Sequence, residues 1–140
     1  MKIEVSKLSE GRELVLFEEW KPQVRELNAP GWLYKSPLKV RALAVRDCGI
    51  IKVEVSAQAA VILTCSRCLK DFFLPLDKRF ELIYPVDLSG KVIVLDGDVR
   101  EELLLGYPQK ILCKKECRGL CPKCGADLNE GACRCKRNEK

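Results

Sequence analysis

Residues 50–68 read IIKVEVSAQAAVILTCSRC, a β-strand pattern that runs directly into a pair of cysteines. In the first part of this run, apolar residues alternate with Lys52, Glu54 and Ser56, which is typical of a strand with one buried face. Cys65 and Cys68 follow with two residues between them, and this spacing directs two thiolates at one tetrahedral metal ion. The stretch therefore predicts a sheet with a metal-binding knuckle at one corner.

Strand patterns on both sides extend this sheet, and a short helix follows it. We predict further strands at 38–45, 72–76, 79–86 and 92–95. Asp98 and Glu101 have the spacing of a capping box, so a helix should begin there and end near Gly106. The predicted fold class is α+β and mostly β: an antiparallel curled sheet or partial barrel, with one short helix and a zinc-bound C-terminal appendage.

The chain of 140 residues contains nine cysteines and no histidine. Eight of them form four close pairs: Cys65/Cys68, Cys113/Cys117, Cys121/Cys124 and Cys133/Cys135. The chain shows no hydrophobic signal region, so we expect it to stay in the reducing cytosol. Because disulfides are disfavoured there, we interpret the pairs as metal ligands. Two all-cysteine zinc sites are predicted, with iron as the alternative metal. Cys48 stands alone in a predicted turn and receives no role.

The strongest metal signature is the segment Cys121-Pro-Lys-Cys124-Gly125. Glycine suits the tight backbone reversal of a zinc knuckle, because amide groups there point at the thiolate sulfur. Cys133 and Cys135 complete four ligands within a short loop, which predicts one compact site.

The second site is then formed by the two remaining pairs, Cys65/Cys68 and Cys113/Cys117. Their union would close a loop of about 45 residues and tie the sheet to the segment after the helix. In the rival arrangement, Cys117 joins the tail site and Cys65/Cys68 acts alone as a redox-active dithiol. No βαβ pattern surrounds that pair, which disfavours the dithiol catalyst.

Charge divides the chain into a neutral β-rich domain, 1–108, and a cysteine-rich basic zinc-binding tail, 109–140. The first carries 16 basic and 16 acidic residues, and the second carries 9 basic and 4 acidic residues. This excess predicts an anionic partner, although lysines around a thiolate cluster also offset its negative charge. The predicted nucleic-acid-binding residues are Lys114, Lys115, Arg118, Lys123, Arg134, Lys136 and Arg137.

Several function classes are disfavoured by what the chain lacks. Without histidine there is no Ser-His-Asp or Cys-His arrangement, and no phosphate-binding Gly-x-x-x-x-Gly-Lys loop occurs. All-cysteine zinc sites are usually closed and structural. We therefore expect a protein that is not an enzyme. No run of about 18 apolar residues is present, so no membrane association is expected and the predicted localisation is cytoplasmic.

Three segments of the chain resemble the YceD family of large ribosomal RNA subunit accumulation proteins. They are CSRCLKDF at 65–72, EELLLGYP at 101–108 and CRGLCPKCGADLNEGACRC at 117–135. The resemblance implies a role in the accumulation or processing of large-subunit (23S-type) rRNA and in ribosome assembly. It also implies two separable metal sites, because some family members lack the tail knuckle. This favours the pairing of Cys65/Cys68 with Cys113/Cys117.

The resulting functional hypothesis is a non-enzymatic rRNA biogenesis factor with a zinc-stabilised basic surface. Its predicted partner is large-subunit rRNA or a pre-ribosomal particle. A protein-binding adaptor for a ribosomal protein or assembly factor is the alternative, and a dithiol oxidoreductase is less favoured. The tail contains no aromatic residue, so base stacking cannot come from it. Aromatic residues of the body could supply stacking, although we expect the phenylalanines to lie in the core: Trp20, Trp32, Tyr34, Phe72 and Phe73.

Overall fold

The computed structural model describes residues 1–87, 90–131, 133 and 135. This part of the chain is mostly strand, with a short 3₁₀ turn at Val5–Lys7 and one α-helix. The strands are β1 (Lys2–Glu4), β2 (Glu13–Trp20), β3 (Trp32–Tyr34), β4 (Leu38–Asp47), β5 (Ile50–Thr64), β6 (Asp71–Pro85) and β7 (Val92–Val94), and the helix is α1 (Asp96–Leu105).

The main sheet is organised around the long strand β5. Along one edge, β5 pairs first with β4 and then with β3, and along the other edge it pairs with β6 over its whole length. β2 extends the sheet beyond β4, and β1 and β7 form a separate two-stranded sheet. Every pairing between these strands is antiparallel and the sheets do not close. The prediction of an open, mostly antiparallel β fold with one short helix is confirmed.

β6 is one continuous strand, and the prediction of two strands, 72–76 and 79–86, was wrong. Pro75 lies inside this strand, although proline cannot donate a hydrogen bond to a ladder. The Ala60 carbonyl accepts a hydrogen bond from the Lys35 N–H at 2.8 Å, so the Ala60 backbone faces β3. Pro75 lies opposite Ala60, and its nitrogen therefore points to the outer edge of β6, where no ladder bond is required.

The hydrophobic core lies between the inner face of the main sheet, the small sheet and α1. Alternate residues of the central strands are fully buried, as strand periodicity dictates. Helix α1 contributes Val99 and Leu103, and the small sheet contributes Ile3 and Ile93. The packing of the helix onto the sheet agrees with the expectation that so short a helix needs tertiary contacts.

Helix α1 begins two residues earlier than predicted. Asp98 lies inside its first turn and makes no capping bond; its carboxylate instead accepts a hydrogen bond from the Tyr84 hydroxyl of β6. Asp96 at the start of the helix forms an ion pair with Arg25 at 2.7 Å. The acidic residues of the first turn therefore bind side chains from other parts of the chain and do not form a capping box. Within the described residues, no helix has the length and apolar character needed to cross a membrane.

The outer face of the main sheet exposes apolar side chains. Phe17 and Phe73 are 64% and 66% exposed, whereas Trp20 and Trp32 are buried. Phe73 pairs with Ile62 of β5 on this outer face, and the Lys35 ammonium lies 4.4 Å from the centre of its ring. The expectation that Phe73 belongs to the core was wrong, because the alternation of β6 places it on the solvent side.

Candidate metal centres and the basic tail

The first cysteine pair forms the turn of the β5–β6 hairpin. The Cys65 N–H donates to the Lys70 carbonyl at 2.9 Å, and the Leu69 N–H donates to the Cys65 carbonyl at 3.0 Å. Leu69 has a φ of 60°, the left-handed conformation that such a tight reversal requires. The knuckle predicted at the sheet corner thus closes the longest hairpin of the fold.

Hydrogen bonds hold the segment after α1 against this turn. The Ser66 N–H and hydroxyl both donate to the Ile111 carbonyl, at 2.8 and 2.9 Å. The Arg67 guanidinium donates to the Cys117 carbonyl at 2.9 Å. The two residues between Cys65 and Cys68 therefore position the second cysteine pair, a role that sequence reasoning did not assign to them.

Four thiols meet at this point. The Sγ atoms of Cys65 and Cys117 are 3.7 Å apart, those of Cys68 and Cys113 are 3.6 Å apart, and all four lie within 4.8 Å of one another. A tetrahedral Zn²⁺ with bonds of about 2.3 Å separates its sulfur ligands by about 3.8 Å, whereas a disulfide needs about 2.05 Å. The cysteines are free thiols. The donor set and its spacing fit a four-coordinate metal ion.

The environment of this first cluster lowers the pKa of some of its cysteines and raises the pKa of others. Burial disfavours the Cys65 thiolate, but N–H groups of Cys68, Cys113 and Arg67 outweigh it and lower the pKa of Cys65 to about 6. A hydrogen bond from the Asn129 side chain lowers the pKa of Cys117. Burial, with the neighbouring thiols, raises the pKa of Cys113 to about 12. Four adjacent thiolates therefore need a cation to coexist.

The second cluster contains Cys121, Cys124, Cys133 and Cys135, whose sulfur atoms also lie within 4.8 Å of one another. The Gly125 N–H donates to the Cys121 carbonyl at 2.9 Å, and Gly125 has a φ of 73°, as expected for a knuckle. The N–H groups of Cys124 and Lys123 lower the pKa of Cys121 to about 6. The structure groups the eight cysteines in the favoured pairing, and Cys117 lies in the first cluster.

The segment 121–135, which carries the second cluster and is called the second loop, also contacts the first cluster. The Asn129 side-chain amide donates to the Cys117 sulfur at 3.3 Å, and its oxygen accepts from the Arg118 N–H at 2.9 Å. Asp127 forms an ion pair with Lys70 at 2.7 Å. These residues were missed because nothing in the local sequence shows that the two knuckles are neighbours. Their presence within the resembling segment was the available signal.

Four of the seven predicted RNA-binding residues lie in the described part of the chain: Lys114, Lys115, Arg118 and Lys123. All four side chains are exposed, and none forms an ion pair with another described residue. Arg134, Lys136 and Arg137 lie outside the described residues. The described part of the tail therefore presents these four positive charges to solvent without ion-pair partners.

The turn at Cys48 is present as predicted, and its surroundings are acidic. Cys48 has a φ of 47°, and its N–H donates to the Glu10 carboxylate at 2.7 Å. Glu10, Asp47 and Cys48 are all exposed. A hydrogen bond from the Cys48 thiol to the Asp47 carboxylate, together with Coulombic repulsion from Asp47 and Glu10, raises the pKa of that thiol, so this cysteine is not activated as a nucleophile.

Comparison with known proteins finds a family whose sequence model matches the C-terminal part of the chain. The sequence model described as large ribosomal RNA subunit accumulation protein YceD matches residues 84–140. The chain is also 34% identical over 65 residues to the large ribosomal RNA subunit accumulation protein YCED homolog 1, chloroplastic, of Arabidopsis thaliana, a match that covers 46% of this chain. It spans about one fifth of that relative, 20% of its length. No solved structure gives a significant match. Residues 84–140, which carry six of the eight clustered cysteines, are therefore similar to the YceD family.

Proposed function

We propose that this protein is a non-enzymatic factor for the accumulation or processing of large-subunit (23S-type) rRNA and for ribosome assembly, acting in the cytoplasm. The observation that carries the proposal is the family match over residues 84–140, which contain six of the eight thiols of the two four-cysteine clusters. The family's described function suggests that the partner is large-subunit rRNA. The two thiol clusters would hold the tail in a fixed shape.

Zinc is the metal that we propose for both clusters. Cys65, Cys68, Cys113 and Cys117 would hold one ion, and the four cysteines of the second loop would hold the other. A bound Zn²⁺ would supply a structural cross-link, because four protein ligands leave no open coordination position for a substrate. The support for a structural role is that the tail has few apolar residues with which to fold by itself.

Direct contact with rRNA phosphates is the proposed mode of binding. The charges available for it are Lys114, Lys115 and Arg118, which follow Cys113 closely and are exposed. Neutralising phosphates releases condensed counterions, so affinity for RNA should fall steeply with salt. A protein that binds through these residues should therefore lose both affinity and salt dependence when their charge is reversed.

The test compares two triple charge reversals in binding to a 23S rRNA fragment across a series of salt concentrations. One carries Lys114→Glu, Lys115→Glu and Arg118→Glu. The matched control carries Lys39→Glu and Lys52→Glu with Arg41→Glu, all exposed on the outer sheet face. At ~0.7 per phosphate contact, the salt slope should fall by about 2 in the tail variant and stay constant in the control. Equal losses in both variants would contradict the proposed contact.

A protein-binding adaptor is the second candidate, and the exposed outer sheet face favours it. Phe17, Phe73 and Ile83 are each more than half exposed there, and exposed apolar groups of this kind often mark protein contacts. A Phe17→Ser/Phe73→Ser variant that no longer co-sediments with pre-ribosomal particles, while RNA binding persists, would favour the adaptor. A dithiol oxidoreductase would require a free Cys65/Cys68 pair, which metal analysis tests directly.

A further inference from the structure

We infer that the two cysteine clusters bind their metal ions cooperatively, with Asn129 and the Asp127–Lys70 ion pair as the coupling contacts. The inference rests on the proposed metal binding and goes beyond it, because two structural sites need not influence each other. It assigns to loop residues of the second site a positioning role at the first.

Asn129 is the most direct link. It lies in the loop between Cys124 and Cys133, two ligands of the second cluster, yet its amide donates to the sulfur of Cys117 in the first, at 3.3 Å. Its oxygen accepts from the Arg118 N–H at 2.9 Å, which fixes the orientation of the amide. A hydrogen bond to a ligating sulfur orients the ligand and tunes its donor strength.

A second link is the ion pair between Lys70, next to the first knuckle, and Asp127 of the second loop. Lys70 follows the first knuckle, and its carbonyl accepts the N–H of Cys65. Its ammonium contacts Asp127 at 2.7 Å and Glu130 at 2.5 Å, both in the second loop. The Asp127 carboxylate also accepts the backbone N–H of Asn129 at 2.9 Å. The first knuckle and the second loop thus share one continuous network.

Metal in the second cluster would place these donors. The loop has no core of its own, and its ends are fixed by the ligands that flank it. Backbone bonds from Leu128 to Gly119 at 2.9 Å and from Cys121 to Ala126 at 2.8 Å then set the position of Asn129. Without metal in the second cluster, the free-energy cost of ordering the loop falls on metal binding at the first cluster and weakens it. The coupling is therefore positive, and by linkage it is reciprocal.

The expected size follows from the behaviour of hydrogen-bond partners of metal ligands. Loss of such a partner commonly weakens metal affinity by about 10–100-fold. Filling the second cluster should therefore raise the affinity of the first by about tenfold or more. Binding curves of the intact chain should accordingly show the two ions entering together rather than in two separated steps.

The experiment is a Co²⁺ titration in competition with a chelator, followed by thiolate–metal absorption. It compares the intact chain with a Cys133→Ser/Cys135→Ser variant that keeps only the first cluster, each with and without Asn129→Ala. Lys123→Ala is the matched control in the second knuckle, because its side chain is exposed and makes no hydrogen bond or ion pair with another described residue. Asn129→Ala should weaken first-cluster binding about tenfold in the intact chain and have little effect when the second cluster is removed.

The outcomes separate this inference from the proposal beneath it. If the intact chain binds two ions and the first cluster has the same affinity with and without the second, the coupling is refuted while the two-metal proposal stands. If Asn129→Ala matches Lys123→Ala in every background, Asn129 is not the link and the inference fails. If the intact chain binds fewer than two ions, both fail.

Discussion

Gly119 is the position at which a single methyl group should disturb the two cysteine clusters most. It lies between Cys117 of the first cluster and Cys121 of the second, and its φ is 76°. A Cβ atom placed there would lie 3.2 Å from the Arg67 carbonyl oxygen and 3.3 Å from the Arg67 Cβ. The oxygen belongs to the knuckle backbone and cannot move without shifting the turn that holds Cys65 and Cys68.

The magnitude has two parts. A left-handed conformation costs an L-residue roughly 1–2 kcal/mol more than glycine. Forcing an extra methyl group against a packed backbone costs roughly 1–3 kcal/mol in addition. Gly125→Ala provides the matched control, because Gly125 lies in the same tail with a φ of 73° and has open space around its Cβ position. Gly119→Ala should therefore cost about 1–3 kcal/mol more than Gly125→Ala.

Metal retention against a chelator is the assay, because strain at Gly119 is relieved when the first cluster opens. Each 1.4 kcal/mol corresponds to a tenfold change in affinity, so Gly119→Ala should retain metal about 5- to 140-fold less tightly than Gly125→Ala. Equal retention in the two variants would refute the close approach of Gly119 to the first knuckle. A variant Gly119→Ala with unchanged retention would refute the left-handed conformation as well.

Three further predictions concern the core, the tail and their junction. Leu103→Ala should lower the free energy of urea unfolding by about 2–5 kcal/mol, since this side chain is 1% exposed, whereas Leu105→Ala, 79% exposed, should change it little. Chelation should make residues 109–131 sensitive to limited proteolysis while the far-UV circular dichroism of the sheet persists; a tail that stays resistant would contradict metal-dependent folding. Tyr107→Phe removes the hydroxyl that donates to the Leu27 carbonyl at 2.6 Å and should cost about 1–3 kcal/mol in the same unfolding assay, an effect absent if water replaces it.

The proposed rRNA contact rests on exposed charged residues that can be altered without changing the core. Lys114, Lys115 and Arg118 are exposed residues of the tail, whereas the apolar outer face belongs to strands of the main sheet. The two candidate modes of action therefore occupy different surfaces. Variants of one surface should leave the other intact, which is why the paired experiments above can distinguish them.

Local periodicity and spacing in the sequence were enough to predict the strands, the cysteine pairs and the basic tail. Alternation at Ile51, Val53 and Val55 predicted the buried face of β5, since strand side chains alternate with a period of two whatever surrounds them. The Cys-x-x-Cys spacing predicted which thiols pair, because a knuckle brings them together by local backbone geometry alone. The charge excess of the tail was likewise a matter of counting.

Only the tertiary structure decided what depends on neighbours distant in the chain. Pro75 is tolerated because its nitrogen faces an open edge, and Asp98 leaves its capping role because Tyr84 of another strand offers a hydrogen bond. Asn129 contacts Cys117 only because the hairpin turn, the tail and the second loop converge. Spacing along the sequence fixes which groups can meet within one turn, whereas the packing of the whole chain decides which turns become neighbours.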